Sequence, residues 1–427
     1  MYRKIKGFFS PEQNVLPVSF GSNFRLEYQN NTLLIAGKTL PEGTSWPGTA
    51  RQRRIIQALN EKNMQLMNCV VPLRRSSGDE KEEMHLEISV TPSGTLFWEL
   101  DVETGIMRIF DRSGMEVFIA AEGGKTDSFL FRTRQTGAYR LFSDSWDVRE
   151  EKGIFCCAEK TFFEKLSLST EELWQQNTKR NYRRWSEILP AIEKQPLNDK
   201  MKTELVTAVV ELFAAPEEQF FFDGNFACRC AALRKLKLAE PLKEHLMKIC
   251  RFTPVWQQNS KCFTGIDDGI RVPRRCDAKG DALEMDWLIA LDASFSCLAG
   301  CEMFDYCNSL HDMDFLQKYA FRFMEGVMRT VELSIIPDNY DLQLPYAPLP
   351  GGRADTLESA GKNVDRQLFF IRKLAEKCCK AAEMLQIRPD PVWQDILQRL
   401  PRARGDWSLT PDTQWGRAGE KIVKMFH

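Results

Sequence analysis

Histidine is scarce in this 427-residue chain, which has four: His85, His245, His311 and His427. Catalysis by a serine or cysteine nucleophile usually needs a histidine beside it, and none of these stands in a recognisable nucleophile elbow. A zinc site is not predicted either, because Cys228 and Cys230 have no second pair of ligands at the spacing that zinc sites use. We therefore expect neither a metal nor another cofactor.

An excess of one charge is also missing, since 58 lysines and arginines face 59 aspartates and glutamates, for a net charge of −1. Such a chain has no long-range field to collect nucleic acid or an anionic membrane. Its first residues lack the apolar core of a secretory signal, and no later stretch reaches the length that spans a bilayer. We expect a cytoplasmic protein, with free core thiols among its 13 cysteines. Its oligomeric state stays open.

Apolar surface is plentiful, with 28 phenylalanines and 10 tryptophans in a chain too long for one ordinary core. Residues alternate in short runs from about Phe24 to Phe163, and turn signals such as Thr104-Gly105 separate the runs. Predicted strands include 84–90, 95–101, 106–110, 115–121 and 128–133. This meander without helices predicts an antiparallel β-sandwich over residues 1–175.

After Thr170 the apolar period changes from two to about 3.6 and predicts helices to the end of the chain. A helix from Ala282 to Cys307 is apolar on all sides in its first half, and an amphipathic helix from Asp314 to Glu332 follows it. Alternation of buried and half-exposed helices is what a two-layer toroid requires. Residues 176–427 are therefore predicted to form a toroid-like helical domain.

The order of these elements resembles the six-hairpin (α/α)6-toroid glycosidases, and within them glycoside hydrolase family 95, the α-L-fucosidase type. The residues that carry this resemblance lie in short segments: Leu100-Asp101 with Thr104-Gly105, Phe222 to Asn225, Leu238 to Leu242, and His311 to Leu316. The resemblance implies hydrolysis of glycosidic bonds in an oligosaccharide by carboxylate acid–base chemistry.

Two departures from that family bear on catalysis. Leu349 follows Pro348 where the resemblance implies the acid glutamate, and Ala227 stands where it implies the second of two asparagines, the first being Asn225. Only seven or eight helices are predicted after Leu173, against about twelve in a complete toroid. The chain is therefore either a fragment or a degenerate toroid.

Three aspartates are the catalytic candidates. Asp286 stands at the start of the apolar helix, where burial raises the pKa of a carboxyl as a general acid requires, although it also suits the helix dipole. Asp267 and Asp268 follow aromatic residues, but Asp-Gly is also the signature of a solvated turn.

Four further residues are the candidates for binding the sugar: Asp223, Asn225, Trp256 and Trp287. Indole rings stack on pyranoses, and carboxylate and amide groups bond hydroxyls. Asp223 equally fits the N-cap of a helix. Two functions stay open at this point. One is an oligosaccharide hydrolase, and the other is a non-catalytic carbohydrate-binding or scaffolding protein with a degenerate glycosidase fold; a helical interaction protein is a third reading.

Overall fold

A computed structural model describes the following residues: 4–9, 24–29, 32–38, 83–90, 92–120, 128–133, 139–143, 146–165, 167–213, 220–283, 289, 291–338, 340–344, 346–349, 360–405, 407 and 410–426. The described residues form two compact units, one with residues up to 213 together with 417–426, and one with residues 220–416. The N-terminal part is rich in antiparallel sheet and the C-terminal part is helical, as the change of period predicts.

Among the described residues of the first unit, eleven strands form two antiparallel sheets. They are β1 (Lys4–Phe8), β2 (Phe24–Gln29), β3 (Thr32–Lys38), β4 (Glu83–Ser89), β5 (Phe97–Asp101), β6 (Ile106–Phe110), β7 (Glu116–Ala120), β8 (Ser128–Thr133), β9 (Tyr139–Phe142), β10 (Trp146–Glu151) and β11 (Ile154–Glu159). One sheet has the order β1-β5-β6-β7-β8-β11-β10, and the other has the order β2-β3-β4-β9.

The hairpin of β5 and β6 shows why the alternating runs become strands. Both strands bury every second residue, so that Leu100 pairs with Met107 on the buried face. The Asp101 carboxylate accepts hydrogen bonds from the backbone N–H groups of Glu103 and Thr104, at 3.1 and 3.2 Å, and closes the turn. Gly105 completes it with a φ of +66°, a conformation that favours glycine.

Aromatic rings join the two sheets. Phe131 on β8 and Phe155 on β11 stack with their ring centroids 4.7 Å apart, and Tyr139 on β9 of the other sheet contacts both of them edge-on. Edge-to-face and stacked pairs are the geometries that aromatic rings prefer. Phe131 is completely buried, so this cluster lies in the core between the sheets.

Three helices follow the strands in the part of the first unit that the structure describes: α1 (Lys160–Lys165), α2 (Thr170–Glu193) and α3 (Asp199–Phe213). A reciprocal capping box between Ser169 and Glu172 starts α2. Further along α2, Asn181 lies so close to Gly105 that a Cβ on this glycine would come within 2.4 Å of the amide nitrogen. The first unit thus extends beyond residue 175, where the change of period places a domain boundary.

The second unit contains short β-pairs and a set of helices. Its elements are β12 (Phe220–Phe221), α4 (Gly224–Lys235), α5 (Ala239–Arg251), α6 (Thr253–Thr264), β13 (Arg275–Cys276), α7 (Ser294–Leu310), α8 (Met313–Phe315), a π-helical turn (Leu316–Ala320), α9 (Phe321–Ser334), β14 (Ile336–Asp338), β15 (Asp341–Gln343), β16 (Ala347–Pro348), β17 (Ala360–Gly361), α10 (Asp365–Met384) and α11 (Pro391–Arg399). A last helix, α12 (Gln414–Met425), begins in this unit.

The apolar helix of the second unit is buried nearly all round, as predicted, but it begins later than predicted. Helix α7 starts at Ser294, whereas the apolar pattern predicts a start at Ala282. Ala282 instead forms an isolated β-bridge with Cys276, because the backbone there extends to pair with β13. The amphipathic helix after it is confirmed as the run from Met313 to Ser334, interrupted by the π-helical turn.

Cysteines of the described residues carry free thiols, as the sequence predicts, and eight of the eleven are buried. Burial raises the pKa of Cys250, Cys301 and Cys307 to about 12. Among the helices that the structure describes, none combines the length and the apolar character needed to traverse a bilayer.

We predict that Phe131→Ala lowers the free energy of unfolding by about 3–5 kcal/mol, because it removes a buried ring and leaves a cavity between the two sheets. Chemical denaturation followed by circular dichroism measures this change. The control is Phe8→Ala, since the Phe8 side chain is 62% exposed and its loss should change stability by about 0.5 kcal/mol or less. Equal losses in the two variants would contradict the assigned core.

Candidate functional site

Asp223 and Asn225, both predicted to contact substrate, lie together at the start of α4. Asp223 has an extended backbone and caps the helix, since its Oδ1 accepts a hydrogen bond of 3.0 Å from the backbone N–H of Asn225. The helix-cap interpretation of Asp223 is therefore confirmed. Phe222, just before it, is completely buried and anchors this helix start in the core.

The Asn225 side chain is completely buried and uses all of its hydrogen-bonding capacity within the protein. Its Nδ2 donates to Oδ1 of Asp223 at 3.0 Å and to Oδ1 of Asp412 at 2.6 Å. Its Oδ1 accepts from the backbone N–H groups of Asp412 and Thr413, at 3.1 and 3.0 Å, and from the Thr413 hydroxyl at 2.8 Å. A buried amide with every group paired holds the two segments that it connects in a fixed position.

Close packing leaves no space beside this amide. Gly416 lies on the first turn of α12, and a Cβ at this position would come within 2.2 Å of the Asn225 Oδ1. The Gly416 N–H instead donates to the Thr413 hydroxyl at 3.0 Å. Only glycine therefore allows the start of α12 to approach Asn225 this closely.

Two consecutive arginines at β13 surround the carboxylates. Arg274 Nε lies 3.6 Å from Oδ2 of Asp223, and Arg275 lies 3.5 Å from Oδ2 of Asp412. The backbone carbonyl of Arg274 accepts a hydrogen bond of 2.8 Å from the N–H of Phe222, which fixes β13 beside the helix start. We call Asp223, Asn225, Arg274, Arg275 and Asp412 the Asn225 cluster.

The two carboxylates of the Asn225 cluster differ in environment. Burial raises the pKa of Asp223, and the hydrogen bond from Asn225 and the charge of Arg274 offset this only in part. Burial acts in the same direction on Asp412, but the hydrogen bond from Asn225 and the charges of both arginines outweigh it and lower its pKa. The Asp223 side chain is 9% exposed and that of Asp412 is 56% exposed, so the cluster opens to solvent at Asp412. A buried acid beside an ionised carboxylate is a pairing that acid–base catalysis uses.

Asp267 and Asp268, predicted to be catalytic, lie on the loop after α6 and are largely exposed. Asp267 is 78% exposed and forms an ion pair of 2.6 Å with Lys261, while Asp268 is 65% exposed and lies 3.6 Å from Arg329. Solvent around both carboxylates removes the apolar surroundings that a general acid needs. The solvated-turn interpretation suits this position.

Trp256, predicted to stack on a sugar, is completely buried. Its indole N–H donates to the carbonyl of Gly280 at 3.0 Å, and its ring contacts Phe222, Phe252 and Phe323. Because its faces are covered by these rings, its position does not support a role in stacking on a sugar. Asp286 and Trp287 lie outside the described residues.

Three members of the Asn225 cluster were not predicted: Arg274, Arg275 and Asp412. Asn225 and Asp412 are 187 residues apart, and no periodic pattern relates such distant positions. The local signal was present, because Pro411, Asp412 and Thr413 precede α12 as a typical helix start. No group of three or more potential metal ligands occurs among the residues that the structure describes.

Comparison with known proteins gives little. No family model matches the chain, and no curated protein matches it. Among solved structures, the chain is similar to one described as "Putative kojibiose phosphorylase from human microbiome", with 9% identity and a TM-score of 0.46. The match covers 94% of this chain and 66% of that one, so the chain spans less than two thirds of the length of the protein it matches. At this identity and TM-score, neither fold nor function is transferred.

We predict that Asn225→Ala lowers the free energy of unfolding by at least about 2 kcal/mol, because several buried partners lose their hydrogen bonds at once. Hydrogen exchange should show the amides of Asp412 and Thr413 losing protection first. Asn308→Ala is the control, since Asn308 is exposed and its loss should leave both amides protected. Unchanged protection in the Asn225 variant would contradict the role of this side chain in holding the two segments together.

A second prediction concerns pH. Asp223 keeps its proton in the folded protein above the ordinary carboxyl pKa of 3.8, so the folded state binds more protons than the unfolded state there. The free energy of unfolding should therefore fall as the pH rises from 3.8 through the raised pKa. Asp223→Asn keeps an acceptor for the helix cap but removes this titration. Urea denaturation at a series of pH values should give a difference between the two proteins that changes across this window, and parallel curves would contradict the raised pKa.

Proposed function

We propose that the chain is a non-catalytic carbohydrate-binding protein with the architecture of a glycosidase, in which a β-sandwich is followed by a toroid-like helical domain. The order of elements supports this architecture, since antiparallel sheets precede helices. The resemblance of the short segments around Asp101 and Asn225 to toroid glycosidases supports the ligand class. The near-zero net charge agrees with a neutral ligand.

The single observation that carries the non-catalytic part is the position of the Asn225 amide. It bonds Asp223 and Asp412 at once and thus fills the space between the two carboxylates. A glycosidase needs that space for the glycosidic bond, with one carboxyl on each side of it. Leu349, which stands where the resemblance implies an acid glutamate, has no proton to give and is 41% exposed.

An oligosaccharide hydrolase of the α-L-fucosidase type is the second candidate. The observation that favours it is the raised pKa of Asp223 beside an Asp412 whose pKa is lowered, which is how one site holds both an acid and a base. In this candidate Asp223 would protonate the leaving oxygen and Asp412 would act on the opposite face. Asp267, Asp268 and Asp286 remain predicted catalytic residues of the same candidate.

Activity on aryl glycosides, including an aryl α-L-fucoside, separates the two candidates. We predict no turnover by the unmodified protein, together with binding of neutral oligosaccharides in calorimetry. Turnover that falls by about 10² to 10⁴ in both Asp223→Asn and Asp412→Asn would instead establish the hydrolase. Asp314→Asn is the matched control for the cluster, since the Asp314 side chain is 67% exposed, forms an ion pair with Lys318 on the same helical run and belongs to neither candidate site. A protein with neither turnover nor sugar binding would contradict both candidates.

A further inference from the structure

A groove of about 320 Å³ lies on the seven-stranded sheet of the first unit. Side chains of β1, β5, β6, β7 and β8 line it, and Trp174 on α2 forms part of its wall. This volume lies at the lower end of the range of about 300–1,000 Å³ that small-ligand sites occupy. The groove therefore suits a ligand of one or two sugar rings.

The guanidiniums of two arginines in this groove lie over aromatic rings. The Arg132 guanidinium lies 5.7 Å from the ring centroid of Trp174 and 3.7 Å from the Glu171 carboxylate. That of Arg108 lies 4.4 Å from the Phe110 ring and forms an ion pair with Glu116. Both side chains are a little over 40% exposed, so part of each guanidinium faces solvent. Guanidiniums that already contact a ring and an acidic side chain lose little further freedom when they bind a ligand.

The other side of the groove carries carboxylates that are also fixed. Glu99 is 15% exposed and accepts from Lys4 at 2.7 Å and from Lys6 at 2.6 Å. These hydrogen bonds lower the pKa of Glu99 and keep it ionised. Asp101 lines the groove as well and holds the turn after β5 through the N–H groups of Glu103 and Thr104.

The charges of the side chains that line the groove and of their ion-pair partners balance. The cations Lys4, Lys6, Arg108 and Arg132 are matched by Glu99, Asp101, Glu116 and Glu171. A balanced set offers no net attraction to a phosphate, a nucleic acid or a free carboxylate. It does offer many fixed donors and acceptors to a neutral ligand that carries several hydroxyls.

The floor between these charges is apolar, which completes the match to a sugar. Ile106 on β6 and Phe118 on β7 line the groove and are only partly buried. A pyranose presents one face of C–H groups and a rim of hydroxyls. The partly covered apolar side chains can pack against the C–H face, and the ion-paired side chains can form hydrogen bonds with the hydroxyls of the rim.

We propose that this groove is the carbohydrate site of the protein and binds a neutral mono- or disaccharide unit. The class of ligand, a carbohydrate, rests on the proposed function. The location of the site rests on the charge balance and the geometry of the groove. Binding is thereby assigned to the sheet rather than to the helical unit.

Calorimetry with maltose, cellobiose and methyl α-L-fucopyranoside, and with glucuronate as an anionic probe, tests the proposal. At least one neutral sugar should bind, and Arg132→Leu should weaken it about tenfold or more, because a charged hydrogen-bond donor is lost. Arg149→Leu is the matched control. Arg149 stands on β10 of the same sheet, and its guanidinium lies 4.3 Å from the ring of Phe163 on α1, but it does not line the groove. Circular dichroism checks that each variant folds.

Glu99→Gln gives a second, independent readout. It leaves Lys4 and Lys6 without the carboxylate that fixes them, so the neutral sugar should bind less well than to the unmodified protein. It also makes the groove net positive, so glucuronate should bind better. Sugar binding that survives both Arg132→Leu and Glu99→Gln would overturn the groove as the site while leaving the proposed function standing. Absence of binding by every neutral sugar would overturn both.

Discussion

The helical unit depends on one buried amide. The Asn225 side chain both donates and accepts hydrogen bonds, and through it the start of α4 is bonded to a segment 187 residues later. Burying an amide is costly unless each of its groups is paired, and here each one is. The same requirement fixes Gly416 beside the amide and brings the carboxylates of Asp223 and Asp412 to the Asn225 nitrogen.

Short-range features of the fold followed from the sequence because they depend on neighbouring residues. The strands Ile106–Phe110 and Ser128–Thr133 begin and end where their alternation does, and the helical run from Met313 differs from its predicted bounds by one residue at the start and two at the end. The predicted helix start at Ala282 was wrong because Ala282 pairs with Cys276 in an isolated β-bridge, and a continuous apolar run without a period does not reveal such a tertiary pairing.

Prediction of the candidate site was poorer, for a different physical reason. Residue type suggested chemistry for Trp256, Asp267 and Asp268, but chemistry depends on exposure and partners, which are tertiary properties. A tryptophan can pack in a core as readily as it can line a cleft. An aspartate beside a glycine can form a turn as readily as it can take part in catalysis. Asp223 and Asn225 were rightly placed together at a helix start because that relation is local, whereas Asp412 had no local relation to them.

The thiols of the core have a further consequence for how the protein ages. Oxidation and alkylation act on the thiolate, and burial keeps Cys250, Cys301 and Cys307 as thiols by raising their pKa to about 12. In the closed structure these three sulfurs are held as thiols. Their oxidation or alkylation is then expected to follow the opening of the helices that carry them, so modification at these positions reports local unfolding.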